Sequence, residues 1–149
     1  MTRFKHSFMG LRPWTQHSKV LMGGGLSYVF VGFSYIFIEQ TPNRMAALKV
    51  ALSWAPLPFW GCVFVFAGLL AVISSRWPPI TETWGYTVLT GLSAGWSATY
   101  LMGVILEHAP LANLSAVAMW GLLAFMWYSV SGLVNPDKAV VVVKRDGCD

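Results

Sequence analysis

Four long stretches of this chain carry no charged residue, and they constrain its fold more than anything else in it. Lys19 and Glu39 bracket 19 such residues, Lys49 and Arg76 bracket 26, Glu82 and Glu107 bracket 24, and His108 and Asp137 bracket 28. A helix of about 20 apolar residues crosses a hydrocarbon layer roughly 30 Å thick, so each run is long enough to span a bilayer. Soluble domains devote about a quarter of their residues to charge, because charge is what covers their surface. Here 11% of 149 residues are charged and 56% are hydrophobic. The expected fold is all-α, an integral membrane four-helix bundle with spans at about 20–38, 59–75, 83–106 and 111–134.

The ends of the runs supply the rest of the topology. Residues 1–19 form a basic leader with Arg3, Lys5, Arg12 and Lys19, and 135–149 a polar tail with Lys138, Lys144 and Arg145. Counting Arg76 with them puts eight basic residues on one side, against Arg44 and Lys49 on the other. Basic residues in short loops stay inside, so both termini are expected to be cytoplasmic and the protein to lie in the inner membrane. The first run lacks a small-x-small cleavage site, reads Ile36-Phe37-Ile38-Glu39 at its end, and is expected to be a retained span rather than a signal peptide. Thr41 and Pro42 mark a helix start, and Met45, Leu48 and Leu52 fall on one face of the segment that follows. That pattern fits a short amphipathic helix lying in the interface between spans one and two, or an ordinary loop helix. Trp14, Trp54, Trp60, Trp77, Trp84 and Trp127 sit near span ends, as an aromatic belt would.

Within the spans, two patterns stand out. Thr87, Gly91, Gly95, Thr99 and Gly103 recur at every fourth position of the third span and form a stripe of small residues. Lipid tails give helices no hydrophobic reason to associate, so close backbone approach and interhelical hydrogen bonds must do so. The stripe is therefore a helix-packing or oligomer face, and Gly95→Leu is expected to disrupt it. The first span repeats Gly25-Leu26-Ser27-Tyr28 as Gly32-Phe33-Ser34-Tyr35, seven residues on. Ser27 and Ser34 then form a candidate polar face, or satisfy themselves on carbonyls one turn back. A weak duplication also runs from Gly25, Glu39, Gly61 and Pro78 to Gly91, Glu107, Gly121 and Pro136, with unequal spacings.

Groups able to do chemistry are scarce. Carriers, proton relays and voltage sensors place ionisable residues at membrane depth, and all four runs lack them. Ser27, Ser34, Ser93 and Ser97 have no histidine at the same depth to activate them. Glu39, Glu107 and His108 lie at span ends and are the weak interfacial candidates for an acid–base or ion site. His6, His17 and His108 are too scattered for metal ligation, so neither a cofactor nor a metal is expected. Cys62 falls within a span and Cys148 in the tail, which argues for two free thiols. A net charge of +4 does not point to nucleic acid, because the basic residues flank the apolar runs where anionic headgroups lie.

Several stretches give the chain a family likeness: Tyr35-Ile36-Phe37 leading to Thr41-Pro42, the Trp60-Gly61 opening of the second span, Ser74-Ser75-Arg76-Trp77-Pro78-Pro79, and Ser131-Gly132-Leu133-Val134-Asn135-Pro136. In these it resembles the small four-span membrane proteins of actinobacterial phages, some of which are called holins. The resemblance implies a phage protein that oligomerises in the host inner membrane and permeabilises it for a muralytic enzyme, with no catalytic signature to carry over. From the residues themselves the expectation is a non-enzymatic membrane protein whose partners are the bilayer and further copies of itself. A membrane anchor or assembly subunit for an unidentified complex, docking through Lys138 to Asp149, fits the same features, and a small transporter is the third alternative.

Overall fold

A computed structural model describes residues 15–39, 41–76 and 82–132, with the side chains of Asn43 and Arg44 excepted. The basic leader before Thr15, the Trp77-Pro78-Pro79 connection and the tail with Cys148 lie outside these residues, as do the charges used for orientation, Lys19, Lys49 and Arg76 excepted. The described part is helical, and no strand occurs in it. Its elements are α1 (Gln16–Phe37), α2 (Pro42–Ala47), α3 (Lys49–Leu52), α4 (Leu57–Ser74), α5 (Glu82–Leu106), a 3-10 turn (Leu111–Asn113) and α6 (Leu114–Gly132). Four helices, the last counted from Leu111, are long and apolar enough to cross a membrane.

The predicted spans match these helices to within a few residues at each described end. The largest difference is at the start of α1, which begins at Gln16 rather than 20. Thr15 causes it: its side-chain oxygen accepts the Ser18 N–H at 3.1 Å, so the helix is capped before the apolar run begins. At the far end of α5, His108 takes a left-handed backbone, φ 50°, where few residues other than glycine are comfortable. The chain reverses there, and the Ala109 N–H returns to the Gly103 carbonyl at 3.2 Å.

Heptad spacing, not the 3.6-residue stripe of a soluble helix, governs which residues turn inward. The main buried series is Ser18, Leu21, Gly25, Tyr28, Gly32 and Tyr35 on α1, with Gly24 beside it, and Leu57, Gly61, Phe64, Gly68 and Ala71 on α4, with Ala67 and Ser74 beside it. On α5 it is Tyr86, Leu89, Ser93, Trp96, Tyr100 and Gly103, with Gly85 beside it. Steps of three and four alternate along each main series, the signature of nearly parallel helix axes with interlocking side chains.

Small and large members of these sets do different work. Gly25 faces the Gly68 carbonyl and Gly32 the Gly61 carbonyl, and each relation is reciprocal. That pairing makes α1 and α4 antiparallel and brings their backbones into direct contact, the close approach that small residues allow. The large members, Tyr28, Tyr35, Phe64 and Trp96, fill the space between this glycine-locked pair and the α5–α6 pair. Rings cross that space edge to face, Phe64 against Trp96 at 5.0 Å and against Trp120 at 5.6 Å between centroids.

Hydrogen bonds join the same pieces. Ser93 donates to the Leu89 carbonyl at 2.6 Å, Tyr28 and Ser93 bond through their hydroxyls, and Trp127 Nε1 donates to the Tyr28 oxygen at 3.2 Å. Each donor in the series Trp127, Tyr28 and Ser93 has an acceptor, which removes the penalty a buried hydroxyl would otherwise carry. Trp96 Nε1 donates to Tyr35 Oη at 2.9 Å, and at one end of the helices Ser18 Oγ donates to Glu82 Oε1 at 2.9 Å. Two tryptophans expected in a belt are thereby accounted for differently. Trp127 is buried among these rings, and Trp60 donates at 3.1 Å to the Ala51 carbonyl. Trp54 and Trp84 are exposed near helix ends, while Trp14 and Trp77 lie outside the described residues.

Candidate functional site

The small-residue stripe of α5 divides into two parts. Gly103 is buried, and a side chain there would collide with the backbone of Ala47. Gly91 and Gly95 are exposed, and a methyl group built on either meets nothing within 4 Å. Thr87 is exposed and Thr99 half-buried. The helix period explains the division: every fourth residue overshoots a full turn by about 40°, so a line of such residues winds around the helix. Its middle emerges from the packed side and its far end passes beneath α2.

A cleft of about 360 Å³ runs between α4 and α5, lined by Trp60, Val63, Phe66, Gly91, Gly95 and Thr99 among others. Its polar lining side chains are already bonded. Thr99 Oγ1 donates to the Gly95 carbonyl at 2.9 Å, Trp60 to Ala51, and Trp96 to Tyr35. What the cleft offers an occupant is therefore hydrocarbon and bare backbone, suited to a chain or helix that needs no hydrogen bond and unsuited to an ion. Phe66, 69% exposed, stands at its rim.

The close packing expected at Gly95 is thus absent within the chain, whereas glycines to which no such role was given on α4, Gly61 and Gly68, provide it. Ser27 is exposed and donates to the Gly23 carbonyl at 3.0 Å; Ser34 is half-buried and donates to that of Val31 at 2.7 Å. Both bonds go one turn back along their own helix. Ser93 and Ser97 donate to the carbonyls of Leu89 and Val117, the second across to α6 at 2.8 Å.

The interfacial candidates separate. Glu107 forms an ion pair with Lys49, Glu39 is exposed at the end of α1, and His108 is exposed in the turn after α5. Lys49 belongs to the segment read as an amphipathic helix, which here is two short helices broken at Leu48. Its inward residues are Ala47, Leu48 and Ala51, with Leu52 half-buried and Met45 exposed. Among the described residues, no group of three His, Cys, Asp or Glu could hold a metal ion. Comparison of the chain with protein-family models, with curated proteins and with solved structures gives no match.

Proposed function

We propose that this is a four-span inner-membrane protein, with both termini cytoplasmic, that acts without catalysis by associating with further copies of itself through the open face of α5. One observation carries the reading: Gly91 and Gly95 lie in mid-helix on an apolar surface where nothing in the chain requires glycine. Glycine inside a helix costs about 0.5–1 kcal/mol relative to alanine. The glycines of α4, and Gly24, Gly25, Gly32, Gly85 and Gly103, are each accounted for by a neighbour that leaves no room for a side chain. An approach from outside the chain accounts for Gly91 and Gly95 in the same way, and Thr87 and Thr99 extend the surface to four small positions. On α1, Gly23 and Ser27 form a shorter open pair.

The resemblance to small phage membrane proteins supports a permeabilising role for the assembly. Under this reading α2 and α3 lie at the outer membrane surface, Glu39 and Glu107 sit at the outer span ends, and the exposed apolar faces of α1, α4 and α6 meet lipid. Inducible expression in a bacterial host with a potential-sensitive dye tests it. An abrupt collapse of membrane potential with the natural chain, lost in Gly95→Leu, is the expected result. A steady potential with confirmed insertion contradicts the permeabilising role and leaves the anchor reading, in which Lys138 to Asp149 is the docking segment.

A further inference from the structure

We draw no further inference here: the strongest candidate, the apolar cleft between α4 and α5 lined by Trp60, Val63, Phe66, Gly91 and Gly95, is an unpartnered face between two membrane-length helices, and nothing in the structure shows what covers it.

Discussion

Gly32→Ala is the smallest perturbation that tests how α1 and α4 are held together. An ideal Cβ at Gly32 would lie 2.6 Å from the Gly61 carbonyl oxygen, 2.7 Å from Val65 Cγ2 and 2.8 Å from the Val65 nitrogen. Ordinary contact between such atoms is roughly 3.5 Å or more, so one methyl group requires about 1 Å of separation. Two of the three obstructing atoms are backbone, so no rotamer change relieves the clash and the helices must move apart. The movement also loosens the reciprocal contact, in which a Cβ at Gly61 would lie 2.8 Å from the Gly32 oxygen. Overpacking of this kind costs about 1–3 kcal/mol. Helix propensity acts in the opposite direction, favouring alanine by up to about 1 kcal/mol, which Gly95→Ala isolates because nothing surrounds that site. Unfolding by sodium dodecyl sulfate in mixed micelles, followed by far-ultraviolet circular dichroism, compares the two. Gly32→Ala is expected to be destabilised and Gly95→Ala to match or slightly exceed the natural chain. Equal stability of the two variants would refute the glycine-lock reasoning.

Tyr28→Phe removes the hydroxyl that accepts from Trp127 and bonds Ser93, leaving a buried indole N–H without its partner. A loss of about 1–2 kcal/mol is expected in the same unfolding assay, at the upper end for polar contacts between helices in membranes. Ser18→Ala deletes the bond to Glu82 that links the start of α1 to the start of α5, with an expected cost near 1 kcal/mol and the α-helical signal retained. Gly95→Leu should leave monomer stability within about 0.5 kcal/mol of the natural chain, as for a surface substitution, while lowering association measured by energy transfer in vesicles.

The helices were legible in the sequence because their signal is coarse: the absence of charge over each run needs no partner to interpret. Threonine and proline then marked a boundary at Thr41-Pro42 before α2. The pairing of helices was harder to read. Gly25 and Gly32 repeat in an obvious tetrad, but their counterparts Gly61 and Gly68 carry the same spacing in an unrelated context, Gly-Cys-Val and Gly-Leu-Leu. Seven-residue spacing on both partners was the available signal, and only pairing it across two helices gives it meaning. The stripe on α5 was the more conspicuous pattern and yet does not pack within the chain at its centre. Which part of a winding stripe emerges depends on the helix rotation set by Trp96, Ser93 and Tyr100, and no local pattern records that. The Lys49–Glu107 pair joins residues 58 positions apart, and their charge signs alone could not single it out.

Self-association requires that the open face of α5 meet its counterpart in a second copy. Single cysteines at Gly95 and, for comparison, at the exposed Phe125 of α6, in a chain with Cys62 and Cys148 changed to Ser, allow oxidative cross-linking in native membranes. Rapid disulfide-linked dimers are expected through Gly95→Cys and slow, concentration-dependent ones through Phe125→Cys. Cross-linking that is absent at Gly95, or no faster there than at Phe125, would contradict self-association through this face.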